Sequence, residues 1–498
     1  MGQPNILLIT SDQQRWDCMG IHNPHVRTPN LDRLAATGIA YDRAYTPNPT
    51  CTPARCSVLT GHYPSRHGCY CIGTNLPADY PTVPARLQEH GYYTALLGKA
   101  HFTSCLDPES FESAPHIHNE EFFRSWNGPF YGFEHAELVI GHSVEKHACG
   151  MHYGIWLKDQ GVDMDRHFGN WEYADYGVWD LPEEFHNSKW TADITIGAID
   201  RAQEQDRPFL LWASFQDPHN PCFVPQPWAS MYDDMELPEL GYAEGEMDGK
   251  PPIYQHKIDT NAFGGPDQFG HQNWHPTNTS QSINMTPERT RELTKLYYGM
   301  VSLMDHHIGR ILDALDERGL ADNTIVIFTS DHGDYLGNHG LWWKGLPAYD
   351  DVLRVPMIVR HPDCETPGVR SDAMQSLVDL ATTFLSLAGL VPEALQQGVV
   401  QTPSWSRADA VCRDWALAES RPTDSDFMEK VFYSEDYKLV VYHEIEYGEL
   451  YDMASDPEQR INLYDLPEHA DLRTRLLRRF IAAEMEKEGV RRPRTSVA

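Results

Sequence analysis

Four apolar runs of strand length punctuate the chain: NILLITSD from Asn5 to Asp12, YYTALLGKAH from Tyr92 to His101, PFLLWASFQDPH from Pro208 to His219, and NTIVIFTSDH from Asn323 to His332. Each is rich in β-branched or aromatic residues and apolar at consecutive positions, the pattern of strands buried on both faces. Each gives way to polar or ionisable residues at its end. Between the runs the period becomes helical. TPNLDRLAATG opens on Thr28 and Pro29, a cap and a first-turn proline, and stops at Gly38. From Thr286 and Pro287 to Gly319, Leu293, Leu296, Met300, Leu303, Ile308, Ile311 and Leu315 recur at three-to-five-residue steps, predicting one long helix with one buried face. His307 beside that stripe is expected to be a packing or supporting residue, not a ligand. Strands alternating with helices predict an α/β fold with a mainly parallel sheet.

Two stretches lack a period. From Leu106 to Asn187, and again in GGPDQFGHQNWHPTNTS near residue 270, the composition turns to aromatic, histidine and acidic residues, predicting long loops over the rim of the sheet. After about Leu390, VFYSEDYKLVVYHEIEYGELYDM alternates as short antiparallel strands do, and a charged helix follows from about Pro467 to Gly489. The expected organisation is a catalytic unit over residues 1–390 and a smaller α+β subdomain over 391–498.

The first and last runs end in the same tripeptide, Thr10-Ser11-Asp12 and Thr329-Ser330-Asp331. Ligands of open α/β sheets sit beyond the carboxyl ends of the strands, so these aspartates are expected to meet there despite their separation in sequence. Asp12, Asp331 and His332 would then form a hard anionic site for one divalent cation, Ca²⁺ or Mn²⁺. By the same logic Lys99 and His101 end one strand, His219 follows another, and Lys344 lies beyond the Asp331 turn. Together with Arg55 and a helix N-terminus they would hold a tetrahedral oxyanion, sulfate or phosphate.

Charge sharpens this. A formal net charge of −32 over 498 residues argues against nucleic-acid or anionic-membrane surfaces, so an anionic substrate requires a local cluster of cations. The start, MGQPNILLITSDQQ, lacks the features of a secretory signal, and no apolar run approaches spanning length, so the chain reads as cytoplasmic. The ten cysteines show no paired zinc spacing and are expected to stay reduced, Cys69 and Cys71 in GCYC included.

Cys51, in PTCTPARCSVLTG at the start of a helical segment, fits poorly as a thiol, since a soft thiolate suits a carboxylate-held cation badly. Helix-start placement and Arg55 would lower its pKa and make it a nucleophile, as in cysteine-dependent phosphatases. Those enzymes, however, use a longer Cys-to-Arg loop and no metal. CTPARCSVLTG resembles the Cys-x-Pro-x-Arg signature of the sulfatases, whose cysteine is converted to formylglycine (3-oxoalanine). GYYTALLGKAH is similar to that family's second signature. SDQQ, DPHNP, SDHGDYLGNHGLWWKG and the stretch from Tyr437 to Leu463 resemble the remaining blocks in their usual order, so the likeness spans nearly the whole chain.

The resemblance implies an alkaline-phosphatase-like fold and hydrolysis of aryl or small alkyl sulfates through a covalent sulfo-enzyme intermediate. It implies that Asp12, Asp331, His332 and formylglycine 51 bind the cation, while Arg55, Lys99 and Lys344 hold the diol and the sulfate oxygens. His219 with Lys344 would protonate the leaving alcohol, and His101 would deprotonate the remaining hydroxyl so that sulfate departs. A formylglycine-generating enzyme is the implied maturation partner, and a homo-oligomer is compatible with the long rim loops. Many sulfatases carry a second aspartate where this chain has Gln13, whose amide oxygen can still coordinate but brings no charge. Gln13 with the Asp331-His332 pair is also similar to the phosphonate monoester hydrolase and phosphodiesterase branch, the alternative reading. CIGTNL after the signature helix would place Asn75 at the substrate oxyanion.

Overall fold

In the computed structural model, residues 3–488 are described except 106, 141–145, 147–148, 170–174, 239–240, 242–244, 247, 252–278, 281–285, 392–395 and 422–426. The four apolar runs form four neighbouring strands of one eight-stranded sheet. In chain order its strands are β1 (Asn5–Ser11), β2 (Ile39–Tyr41), β3 (Tyr93–Lys99), β4 (His135–Val139), β5 (Phe209–Ser214), β6 (Thr324–Ser330), β7 (Met357–Arg360) and β8 (Val369–Ser371). Across the sheet they run β8-β2-β7-β6-β1-β5-β3-β4, with β7 alone antiparallel to its neighbours. The sheet is thus mixed but mainly parallel.

Alternation along the central strands explains why they read as unbroken apolar runs. Ile6, Leu8, Leu96, Leu210, Trp212, Ile325 and Ile327 face one core with Val58 and Leu59 of α2 (Cys51–Thr60) and Phe384 of the helix Val378–Leu387. Leu7, Ile9, Leu97, Leu211, Ala213, Val326 and Phe328 face the other. There they meet Leu31 and Leu34 of α1 (Pro29–Thr37), Ile199 of α3 (Asn187–Glu204), and Met304, Ile308, Ile311 and Leu315 of α4 (Pro287–Glu317). Helices on both faces leave no solvent-facing side on these strands, so no polar alternation survives.

Local details depart from expectation. Thr28 stands at the N-cap of α1, but its hydroxyl bonds the Gly20 amide (2.7 Å) and Asp32 instead. The helix amides of Asn30 and Leu31 are taken by Asp305 of α4 at 3.1 and 2.7 Å. The stretch expected as rim loops from Leu106 to Asn187 supplies the edge strand β4 and the helices Glu120–Ser125 and Met151–Asp159. These elements are too short to display a period. The stretch near residue 270 lies outside the described residues. Among the described residues no disulfide forms, and Cys69 and Cys71 are buried thiols.

Toward the C-terminus, β9 (Trp415–Ser420), β10 (Glu429–Ser434), β11 (Tyr437–Tyr442) and β12 (Gly448–Asp452) form an antiparallel meander. The helix Ala470–Glu486 packs on it through Leu476 and Ala483. Lys438 of β11 donates to the Ala348 carbonyl (2.6 Å), and Tyr433 of β10 stacks on Tyr45 with ring centroids 3.9 Å apart. This sheet therefore buttresses the turn that carries Lys344. No described helix is long and apolar enough to cross a membrane.

Candidate active site

Strand register assembles the site. Thr10 and Ser11 of β1 pair with Thr329 and Ser330 of β6 in parallel, so Asp12 and Asp331 leave the sheet side by side. The Gln13 amide, at a φ of 66°, donates to Asp331 Oδ1 at 3.1 Å. On the other side of β1, Thr10 pairs with Ser214 of β5, which pairs in turn with Gly98 of β3. The polar ends of all four strands, bearing Asp12, Lys99, His219 and Asp331, thus open on one edge.

Cys51 is the first residue of α2, and the chain enters that helix through Asn48, whose Oδ1 accepts from the Thr50 amide (2.9 Å) and hydroxyl (2.6 Å). The helix points its start at the strand ends. Cys51 Sγ lies 2.9 Å from Lys344 Nζ, 3.1 Å from His332 Nε2 and 3.6 Å from Asp12 Oδ1, with no exposed surface. Burial, joined by the neighbouring Asp12 carboxylate, pushes this thiol up to about 11 against the pull of Lys344. The lowered pKa that helix-start placement and Arg55 would give a cysteine nucleophile is therefore absent. Arg55 is spent elsewhere: Nε bonds Asp331 Oδ2 (2.8 Å), Nη2 bonds Asp12 Oδ2 (3.2 Å), and Nη1 bonds Ser214 Oγ (2.8 Å) and the Lys99 carbonyl (3.0 Å).

The carboxylates are divided in their duties. Lys99 Nζ sits 2.6 Å from Asp12 Oδ2, the oxygen that Arg55 also contacts. Burial opposes the Asp12 charge, yet Lys99, His219, Arg55 and Lys344 together hold its carboxyl well below the usual aspartate range. Burial likewise opposes the Lys99 and Arg55 charges, and the carboxylates keep both above their ordinary values. With Oδ2 of each aspartate on a cation, Asp12 Oδ1 and Asp331 Oδ1 face His332 Nε2 at 3.9 and 3.7 Å.

This donor set fits a divalent cation. Ligand atoms of Asp12, Cys51, Asp331 and His332 all lie within 4.8 Å of one another. His332 Nδ1 bonds the Gly333 carbonyl at 2.9 Å, which fixes its proton there and leaves the Nε2 lone pair toward the carboxylates. Burial lowers the His332 pKa, keeping the ring neutral. Gln13 Nε2 donates to Asp334 (2.6 Å) and Asn220 (3.0 Å), while Gln13 Oε1 is buried without a hydrogen-bond partner among the described residues, an acceptor suited to a hard cation. Two carboxylates stand against Arg55, Lys99 and Lys344, so even before a metal binds the cluster is fit for an anion.

His219 Nδ1 bonds the Asn220 carbonyl (2.6 Å), which turns its Nε2 to Lys344 Nζ, also at 2.6 Å. His101 is held at a φ of 58°, its amide and that of Thr103 both bonded to Glu112 at 2.6 and 2.8 Å. Both its ring nitrogens are buried without a hydrogen-bond partner among the described residues, and burial, then Lys99, lowers its pKa. With 7% and 8% exposure, His101 and His219 are more open to solvent than Cys51, Arg55, Lys99 or Lys344. Asn75 is not part of the cluster. It is exposed and ties down its own loop, donating to Asp107 (2.8 Å) and accepting from the Ser104 amide (2.7 Å).

Sequence reasoning missed Ser214, Asn220, Asp334 and Glu112. The first three lie within a few residues of recognised strand ends and could have been found there. Glu112 sits in a stretch with no pattern.

Beyond its own geometry, the chain matches the sulfatase family profile over residues 4–390 and the N-sulphoglucosamine sulphohydrolase C-terminal profile over residues 337–486. It is 28% identical to an arylsulfatase of Clostridium perfringens over 97% of this chain and 95% of that one. The crystal structure of the phosphonate monoester hydrolase of Agrobacterium radiobacter superposes with a TM-score of 0.77 at 25% identity, covering 97% of this chain and 96% of that one. The corresponding hydrolase of Silicibacter pomeroyi shares the fold, with a TM-score of 0.78 at 23% identity over 98% and 96% of the two chains. The alkaline-phosphatase-like architecture implied by the motifs is therefore the one observed, and the chain belongs to the sulfatase family, hydrolases of sulfuric esters.

Proposed function

We propose that the protein hydrolyses small aryl or alkyl sulfate monoesters. The observation that carries this reading is one buried cluster at the sheet edge in which Cys51 meets Lys344 while Arg55 and Lys99 hold a two-aspartate cation site. A divalent cation, Ca²⁺ or, given the imidazole ligand, Mn²⁺, would be held by Asp12, Asp331, His332 and residue 51, with Gln13 Oε1 as a further donor. That cation would supply Lewis acidity, and residue 51, once converted to formylglycine by its maturation partner, a nucleophilic hydrated aldehyde.

The chain's own residues do the rest. Lys99 and Lys344 bind and orient the sulfate oxygens, while Arg55 holds both carboxylates in place. Lys344 keeps His219 Nε2 facing the anion, and the pair delivers a proton to the departing alkoxide. Held neutral, His101 accepts a proton from the hydroxyl left at position 51. Burial of these groups excludes bulk water, which strengthens every charge contact.

His219→Ala should therefore slow an alkyl sulfate at least about 100-fold while slowing nitrophenyl sulfate far less, because general-acid help matters most when the leaving group is basic. Matched kcat/KM series on the two esters check this, and equal losses would remove His219 from the role.

A second reading, phosphonate monoester or phosphodiester hydrolysis, draws on Gln13 and His332. Gln13 brings no charge where many sulfatases carry a second aspartate, leaving a more positive site for a transition state with more charge on its equatorial oxygens, and the phosphonate monoester hydrolase fold match agrees with it. Comparing kcat/KM on nitrophenyl sulfate, phenylphosphonate monoesters and nitrophenyl phosphodiesters separates the two. A large preference for phosphorus esters would defeat the sulfate reading.

A further inference from the structure

Away from residue 51, a turn at Glu183–Phe185 leads into α3, and α4 passes beside it carrying His306 and His307. Glu183 Oε1 lies 3.6 Å from His307 Nε2 and 4.0 Å from His306 Nε2. Ligand atoms of the three residues fall within 4.8 Å of one another. The indole of Trp228 donates to Glu183 Oε2 at 2.8 Å, so Oε1 is the oxygen turned toward the imidazoles. His307 is 3% exposed at its side chain, and its Nε2 is buried with no hydrogen-bond partner among the described residues. Its burial suits the packing role expected from the helical stripe. The stranded nitrogen aimed at a carboxylate does not, since an unsatisfied buried polar atom is destabilising.

We propose that Glu183, His306 and His307 form a second cation site, for a borderline first-row divalent ion of which Zn²⁺ is the representative. Two imidazoles and one carboxylate suit such ions better than Mg²⁺ or Ca²⁺, which take all-oxygen cages. Bonds of about 2.0–2.1 Å in tetrahedral geometry set ligand atoms about 3.4 Å apart. The 3.6 and 4.0 Å separations are close to that value, and His306, 51% exposed, is free to turn inward and leave the remaining position to water. The indole contact fixes the carboxylate as outer hydrogen bonds fix metal ligands.

Binding requires the His307 proton on Nδ1, where Arg310 Nη1 now stands at 3.4 Å. That long contact yields, and Arg310 keeps its 2.6 Å bond to Asp193. Asp193 also pairs with Lys189, so the nearby cations are partly offset. An ion here would clamp the turn before α3 to α4. Ser188, at the start of α3, donates to Asp217, whose carbonyl holds the Asp12 amide at 3.1 Å, so the clamp would steady the support of the active site.

The test is zinc stoichiometry of the whole enzyme, active-site cation included, after equilibration with Zn²⁺ and removal of the free ion, in wild type, Glu183→Gln, His306→Gln and His307→Gln. The amide introduced by Glu183→Gln retains an acceptor for Trp228, and residues 183 and 306 are partly exposed, so those two variants keep the fold. Wild type should hold one equivalent more than either, with at least about tenfold tighter binding of that equivalent. Zn²⁺ should raise the unfolding temperature of wild type more than that of Glu183→Gln or His306→Gln, and Co²⁺ loading should give tetrahedral visible bands that both variants lack. Equal zinc content in wild type, Glu183→Gln and His306→Gln would overturn the site. So would loss on His306→Gln alone with Glu183→Gln and His307→Gln unaffected, which would mark a single surface imidazole.

Discussion

Cys51→Ala is expected to lower turnover of nitrophenyl sulfate by about 10⁴- to 10⁶-fold, the range seen when a nucleophile acting as part of a unit is removed, while leaving the fold in place. The structure separates the two effects. The side chain is buried, yet its sulfur meets Lys344, His332 and Asp12 instead of the apolar cores, so truncation forfeits little packing. A stability change of about 1 kcal/mol, the scale of one buried group, is expected in denaturant unfolding. Mass spectrometry of the wild-type peptide spanning residue 51 accompanies the assay. Conversion of the thiol to the aldehyde is the expected finding, since a thiol pushed up to about 11 is a poor nucleophile at neutral pH. An unmodified cysteine in fully active protein would place the nucleophile elsewhere. Loss of soluble folded variant would make Cys51 a structural residue.

What the sequence disclosed, it disclosed where chemistry and backbone regularity coincide. The repeated Thr-Ser-Asp was readable because parallel strands in register place identical positions side by side, as Thr10 with Thr329 and Ser11 with Ser330. Lys99 and His219 followed because a strand buried on both faces admits a charge only at its end, Lys99 being the last residue of β3 and His219 lying beyond β5. Contacts that depend on a bend or a passing helix left no such trace. Glu112 reaches back to the His101 and Thr103 amides from a stretch without period, and Asp305 takes over the capping that Thr28 was expected to perform. Asn75 was placed by motif position alone, and the structure turns it onto its own loop. His307 sat correctly on the buried face of α4, but adjacency to Glu183 is a tertiary fact that no helical stripe encodes.

Arg55→Met should destabilise the cation-free protein by about 3–5 kcal/mol, the usual cost of removing one partner from a buried ion pair. Asp12 and Asp331 are 0% and 2% exposed, and the guanidinium bonds both, so an apolar side chain of similar length leaves two buried carboxylates with, among the described residues, only Lys99 as a cationic partner at contact distance. Arg55→Lys, which keeps the charge but cannot make four bonds at once, should fall between. The pH dependence has a definite sign. In wild type the Asp12 carboxyl is held well below its unfolded value, so its contribution is present above the ordinary aspartate range and lost as pH falls through the lowered folded value. In Arg55→Met that depression is weakened, so the gap between the two proteins should be widest near neutrality and narrow in acid. Saturating Ca²⁺ or Mn²⁺ should narrow it too, because the cation supplies positive charge between the same two carboxylates. Denaturant midpoints at neutral and acid pH, with and without the ion, measure all of this. A neutral-pH gap below about 1 kcal/mol would mean that the aspartates do not depend on Arg55, and a gap indifferent to the ion would take the cation away from Asp12 and Asp331.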